Sequence, residues 1–360
     1  MKNQTIKSNS PLRNIPKDYV PDDECFWFRI PSGLDKRKWM FYRDSSLKST
    51  NSNQTVLFVH GNPECSYTYR KIIHEIIERI ELGCRIVAMD HIGFGLSDQA
   101  TYEMVSMDHA RNLLELVKYL DLRNITLVVH DWGGPIGIGA LLKESERISN
   151  LVILNSTVFP IPKNGMTFET YPIDWLGWCY TPYIIPDKFW GNFAAYAIFT
   201  NPNKPIPLLS NMVKNIALME RNIYQNTHSK AQRIFKTQFN SKMNVKSSKR
   251  LVKQTKFWGY GNKYNESQLG KRDTSQFYHM IQESITRAWG PKGSNIGIKA
   301  LIGRWDPLGQ NAVLEQWIEY LPQLKGNIRI FENTGHFIEE EKYKEIADAI
   351  LALLNRANNF

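Results

Sequence analysis

Short apolar runs and amphipathic stretches alternate along the first part of the chain. CFWFRI, WMFYRD, TVLFVH, RIVAMD, ITLVVH and LVILN read as strands, and segments such as DHARNLLELVKYL read as helices between them. In that helix Leu113, Leu114, Val117 and Leu120 share one face, with Asp108 placed as its N-cap. The later strands are almost continuously apolar, the pattern of parallel strands covered on both faces. Such alternation predicts an α/β fold in which a mostly parallel central sheet is flanked by helices.

After Leu154 the alternation stops. About 140 residues rich in Trp, Tyr, Phe and Pro precede the next clear strand, IKALIG. The pattern then resumes with NAVLEQWIEYL, with NIRIFE, and with a last helix that carries Ile346, Ile350, Leu353 and Leu354 at helical spacing. The chain therefore reads as a polar, proline-punctuated arm over 1–24, a core domain built from 25–155 and 296–360, and a mainly helical cap domain over 156–295, inserted after the sixth strand. Cap aromatics Trp175, Trp178, Phe189, Trp190, Phe193 and Tyr196 divide between the cap's own core and the wall of a pocket for an apolar ligand.

Composition narrows the class. Hydrophobic residues make up 42% and charged residues 22% of the chain, a globular balance, and no apolar run is long enough to span a bilayer. The arm has no apolar segment of the kind a secretory leader carries, so a cytoplasmic location is expected. Cys25, Cys65, Cys84 and Cys179 are widely spaced, without CxxC or Cys/His clustering, which argues for ordinary reduced thiols and against zinc. The formal charge of +10 is partly local: Lys242, Lys246, Lys249, Arg250, Lys253 and Lys256 fall where no Asp or Glu occurs between Glu220 and Glu266. Without a nucleic-acid-binding motif beside it, this stretch reads as a solvated face, with an anionic surface contact as the alternative.

Candidate chemistry is concentrated in VVHDWGGPIG, where an apolar strand ends at Asp131 and glycines lead into an amphipathic helix. This is the form of a nucleophile elbow, with aspartate where serine is usual. A carboxylate is ionised at neutral pH and attacks saturated carbon without a base, leaving an ester whose hydrolysis needs one. His336 in ENTGHFIEE is the candidate base, and Asp306 in LIGRWDPLG its partner acid. The order Asp131, Asp306, His336 is nucleophile, acid, histidine, as in α/β-hydrolases. In FVHGNPECSYTYR a strand ends before Asn62, whose backbone N–H, with that of Trp132, is placed to face an oxyanion. Their side-chain amide and indole N–H could hold a departing halide. His130 alternates to the other side of its strand and reads as core packing. DHIGFGLSD has a GxG but opens no glycine-rich helix, so it reads as a loop, not a dinucleotide site.

Taken together, HGNP, DHIGFGLSD, VVHDWGG, GRWDP and TGH resemble the haloalkane dehalogenase family of the α/β-hydrolases. The resemblance covers most of the chain outside the arm and cap. It implies a two-step hydrolysis of small apolar haloalkanes by water: Asp131 displaces halide, Asn62 and Trp132 stabilise it, and His336 with Asp306 activates water. It implies no cofactor or metal. One branch of that family draws its acid from a glutamate after the sixth strand; here Ser156, Thr157 and Val158 follow LVILN, so the match is to branches with an aspartate after the seventh. Epoxide hydrolases share the aspartate nucleophile but recruit cap tyrosines, and often have glycine where Val129 stands. Fluoroacetate dehalogenases would carry arginine in place of Trp132. A non-catalytic ligand-binding protein on the same fold is the alternative from another class.

Overall fold

The computed structural model describes residues 6–13, 15–47, 54–80, 83–200 and 229–356. Eight strands form one sheet: β1 (Cys25–Arg29), β2 (Trp39–Leu47), β3 (Thr55–Val59), β4 (Cys84–Met89), β5 (Ile125–His130), β6 (Ile148–Leu154), β9 (Gly297–Gly303) and β10 (Ile328–Phe331). A separate hairpin of β7 (Lys263–Glu266) and β8 (Gly270–Asp273) lies within the insert, where the apolar pattern gave no sign of strands. The large sheet is ordered β1-β2-β4-β3-β5-β6-β9-β10. β2 runs antiparallel to its two neighbours and every other pairing is parallel.

Period-2 alternation explains how both faces are filled. Leu57, Val59, Leu127, Val129, Leu151 and Ile153 join one buried cluster, with residues of the helices Ser106–Tyr119 and Gly133–Leu141. Val56, Phe58, Val128, Val152 and Leu154 join the other, under the helices Arg70–Arg79 and Tyr343–Arg356. One boundary differs from the sequence reading. The Ser106 helix begins two residues before Asp108, whose carboxylate reaches back to the Val105 N–H at 3.1 Å and pairs with Arg272. Asp108 therefore satisfies the helix start from its third position, not as the N-cap.

A helical insert follows β6, in keeping with the sequence pattern. Its described helices include Trp190–Thr200, Lys230–Thr237, Lys242–Gln254 and Ser275–Trp289. Polar side chains seat it on the core. Gln238 bridges the Pro63 carbonyl and the Gly95 N–H at 2.7 and 2.8 Å, while Asn244 and Ser247 accept from the Ala100 and Met104 N–H groups. The N-terminal segment lies over the same loop, with Ser8 and Ser10 donating to the Leu96 and Gly95 carbonyls and Tyr19 donating to Asp90. Among the described residues no helix is long and apolar enough to cross a membrane. All four cysteines are buried free thiols.

Registers Val59↔Val129, His130↔Leu154 and Leu154↔Leu301 bring the C-terminal ends of β3, β5, β6 and β9 close together. The loops leaving those ends converge, as ligand sites do in parallel sheets.

Candidate active site

Asp131 sits at the turn from β5 into the helix Gly133–Leu141, with a left-handed φ of 48° that side chains other than glycine seldom adopt. The turn is held from two sides. Ser156 donates to the Asp131 carbonyl at 2.6 Å, and a Cβ at Gly133 would fall 2.1 Å from the Val59 carbonyl oxygen, so the helix can start this close to β3 only with glycine there. Asp131 is 4% exposed.

Asn62, three residues beyond the last register pair of β3, donates its backbone N–H to Asp131 Oδ2 at 2.8 Å. Its side chain is fixed by the insert: Ser248 Oγ donates to Asn62 Oδ1 at 2.5 Å, and Asn62 Nδ2 lies 3.4 Å from the Ser248 carbonyl. Trp132 is buried with its ring 4.1 Å from that of Trp258.

The other oxygen of Asp131 faces histidine. His336 Nε2 lies 3.5 Å from Asp131 Oδ1, and His336 Nδ1 lies 2.8 Å from Asp306 Oδ2. Burial opposes the charged imidazole, but the Asp306 charge and the hydrogen bonds to Asp131 and Asp306 outweigh it, so the His336 pKa stands well above the ordinary value. Asp306 is fully buried after β9, and its Oδ2 also accepts from Asn155 Nδ2 at 2.6 Å. Asn155 in turn clasps Gly303 through both its N–H and its carbonyl. The structure thus brings all five sequence-derived site residues, Asp131, Trp132, Asn62, Asp306 and His336, to one end of the sheet.

Three features lay outside the sequence reading. Asn155 closes β6, and the only local signal was an asparagine ending an apolar run. Ser248 carried no signal at all, since it reaches Asn62 across 186 residues. His130 was read as core packing and is instead the centre of a buried ionisable cluster: alternation does turn it away from Asp131, but onto Glu64 Oε2 at 2.6 Å and Glu339 Oε1 at 3.0 Å. The basic stretch also differs from its linear appearance. Lys249, Arg250 and Lys256 pair with Asp187, Glu103 and Glu169, all distant in sequence, so half of the six cations are neutralised within the chain.

A cavity of about 660 Å³, mouth included, opens above Asp131, Asn62 and His336. Its walls are mostly apolar. Trp178, Phe193 and Tyr196 line it as the pocket reading of the cap aromatics expects, and Phe168, Tyr171 and Leu176 join them. Trp190 packs into the protein interior instead, and the side chain of Trp175 lies outside the described part of the structure. The arrangement offers an anionic oxygen, a hydrogen-bonded imidazole and backbone and amide donors at the floor of an apolar chamber.

The chain is similar to known proteins over part of its sequence and over most of its fold. Over 133 residues the chain is 38% identical to cis-3-alkyl-4-alkyloxetan-2-one decarboxylase of Shewanella oneidensis, covering 35% of this chain and 41% of that protein. It is 31% identical to haloalkane dehalogenase 2 of Mycobacterium tuberculosis over 144 residues, covering 40% of this chain and 47% of that protein. The chain thus spans less than half the length of these relatives. Among solved structures, haloalkane dehalogenase DpaA from Paraglaciecola agarilytica superposes with a TM-score of 0.65 at 22% identity, covering 94% of this chain and 96% of that one. For haloalkane dehalogenase DbeA from Bradyrhizobium elkani the TM-score is 0.63 at 16% identity, covering 93% and 98%. At such identities the likeness is one of fold. The alpha/beta hydrolase fold profile matches residues 54–343, and with that match the chain belongs to the α/β-hydrolase fold family.

Proposed function

We propose that this protein is a haloalkane dehalogenase in which Asp131 is the nucleophile, His336 the base and Asp306 the acid that orients it. The observation that carries the reading is the division of labour on one carboxylate: Asp131 Oδ2 is held by the Asn62 N–H, while Oδ1 lies 3.5 Å from His336 Nε2 under an apolar cavity. In the first step Oδ1 attacks the halogen-bearing carbon, a C–O bond forms as the C–halogen bond breaks, and the halide leaves toward the Asn62 amide and the Trp132 indole N–H. In the second step His336 takes a proton from water, and the resulting hydroxide adds to the ester carbonyl of Asp131. The oxyanion is met by the N–H groups of Asn62 and Trp132; collapse restores the carboxylate and releases the alcohol with the proton of the added hydroxide, and the proton held by His336 passes to solvent. Charge on Asp131 helps to raise the His336 pKa in the resting protein. Esterification removes that charge and lowers the His336 pKa, so more of the imidazole is neutral and able to take a proton from water.

One observation favours a second reading. The stretch matched to the oxetanone decarboxylases is more similar, at 38% and 34% identity, than that matched to the dehalogenase at 31%. A dialkyl oxetan-2-one is an apolar electrophile whose ring carbon the same carboxylate could attack, with loss of CO2 and formation of an alkene.

The deciding experiment incubates the protein with panels of bromo- and chloroalkanes, dialkyl oxetanones and epoxides, with Asp131→Asn as control. Halide plus alcohol from the parent alone supports the dehalogenase. Alkene plus CO2 selects the second reading, and diol from epoxides selects epoxide hydrolysis, for which Tyr171 and Tyr196 line the cavity. No turnover on any panel, with tight binding of apolar ligands, would make it a ligand-binding protein.

A further inference from the structure

The halide-donor role of Asn62 requires that its amide present N–H, and not C=O, to the cavity. Nothing in HGNP decides this, since an asparagine amide can turn over. The insert decides it. Trp190 Nε1 lies 2.9 Å from Ser248 Oγ, and an indole nitrogen can only donate. Ser248 Oγ therefore accepts from Trp190 and keeps its one proton for another acceptor. That acceptor is Asn62 Oδ1 at 2.5 Å, a separation that suits O–H···O and is too short for an amide N–H···O. The backbone carbonyl of the same serine lies on the Nδ2 side of the amide, where a turned-over Oδ1 would meet oxygen against oxygen.

We propose that Ser248 is a positioning residue that holds the Asn62 amide with its N–H toward the cavity floor. The inference rests on the halide-donor reading of Asn62 and extends it to a residue of the insert. Ser248 is itself fully buried on the helix Lys242–Gln254, one residue after Ser247, which accepts from the Met104 N–H, and four after Asn244, which accepts from the Ala100 N–H. Seating of the insert on the core and orientation of the amide are therefore one event: if that helix were displaced, Asn62 would lose the group that sets its direction.

Two measurements on the full chain test this separately from the dehalogenase reading. In protein labelled with 15N-asparagine, the Asn62 Nδ2H2 pair is assigned by its loss in Asn62→Ala. The parent should show a resolved pair; Ser248→Ala should displace and broaden it, and Ser248→Thr should restore it. A pair unchanged in Ser248→Ala, in a variant that melts like the parent, overturns the proposal whatever the activity. In the second, bromide titrated against tryptophan fluorescence should bind about five- to tenfold more weakly to Ser248→Ala than to the parent, the loss expected for one hydrogen bond, and Ser248→Thr should recover it. Equal bromide affinity in the parent and Ser248→Ala likewise counts against Ser248. A parent that binds no bromide, while the asparagine signal responds as expected, would leave Ser248 as the orienting residue and remove the halide role from Asn62.

Discussion

His130 Nε2 donates to the backbone carbonyl of His336 at 2.9 Å, and the two imidazole rings lie 4.7 Å apart. A carbonyl only accepts, so Nε2 carries a proton, and Nδ1 faces Glu64 at 2.6 Å. A second proton, on Nδ1, would give the ring a positive charge. Burial opposes that charge, but Glu339 and Glu64 outweigh burial and push its pKa up to about 9. Beside it Glu339 is pushed up to about 8, chiefly by burial, with the Glu64 charge adding to the effect. The residue before the candidate nucleophile therefore ties the candidate base to a buried proton store.

That arrangement fixes how stability depends on pH. His130 binds its proton more tightly when folded, so its contribution is complete below the unfolded value of 6.5 and is lost as pH rises toward 9. Glu339 also holds its proton longer when folded: between 4.5 and about 8 the unfolded chain releases it first, and stability falls across that window. Thermal midpoints should decline from weakly acidic to weakly alkaline pH. Glutamine cannot titrate, so the Glu339→Gln curve should fall less steeply; parallel curves for parent and variant would show that Glu339 carries no such shift.

Removing the candidate base should separate the two proposed half-reactions. With His336→Gln the displacement still proceeds, because Asp131 needs no base to attack, whereas ester hydrolysis slows by about 10²–10⁴-fold. A bromoalkane should then give a burst of one halide per chain and an intact mass increased by one alkyl group. Asp131→Asn should give neither. Steady multiple turnover in His336→Gln would mean that another group activates the water.

Much of this candidate site is legible in local pattern because its residues stand where a run of one type ends. Asp131, His336 and Asp306 each follow an apolar strand, and a strand end is visible in sequence. What escaped notice was held by distance or by geometry inside a run. Ser248 lies in a stretch dominated by lysines and is buried only because the helix turns that face to the core. Alternation turns His130 away from Asp131, yet it cannot reveal that Glu64, from the loop after β3, and Glu339, from the short 3-10 helix Ile338–Glu340, would meet it there. Likewise, the carboxylates that pair with Lys249, Arg250 and Lys256 come from outside the stretch, so the linear charge run overstated the free basic face.

Gly61 should tolerate no side chain. A Cβ there would lie 2.4 Å from the Asp131 Cβ and 2.5 Å from its Oδ2, where the Asn62 N–H now points. Gly61→Ala must push the loop or the carboxylate aside, at a cost of about 1–3 kcal/mol. Halide release should fall more than the melting temperature suggests, because the displaced atoms are those of the candidate nucleophile. A variant with parental melting and rate would show that the loop yields without moving Asp131.

Asn155 anchors Asp306. Asn155→Ala would remove the 2.6 Å donor to Asp306 and both bonds to Gly303, leaving a fully buried carboxyl with one fewer partner. A buried group left short of a partner costs about 1–3 kcal/mol, so chemical denaturation should shift by that amount. Asp306 would also be freer to turn from His336, and turnover should drop together with stability. Loss of stability with full turnover would confine Asn155 to tying β6 to β9.

The last prediction concerns chain length. Phe193, Tyr196, Ala197 and Thr200 recur at helical spacing along Trp190–Thr200 and line the cavity together, so this helix face forms one wall. Ala197 is the smallest side chain among them. Ala197→Leu would place three further carbon atoms at the cavity wall, in the space a substrate chain would use. Each methylene displaced from an apolar wall loses about 0.8 kcal/mol of binding, so kcat/KM for the longest bromoalkanes should fall at least about tenfold relative to the shortest. The check is a homologous series of 1-bromoalkanes assayed with both proteins. An equal loss at every length would mean that the substitution disturbs the floor of the site. An unchanged series would mean that substrates extend away from the Trp190–Thr200 wall, toward Phe168 and Leu176.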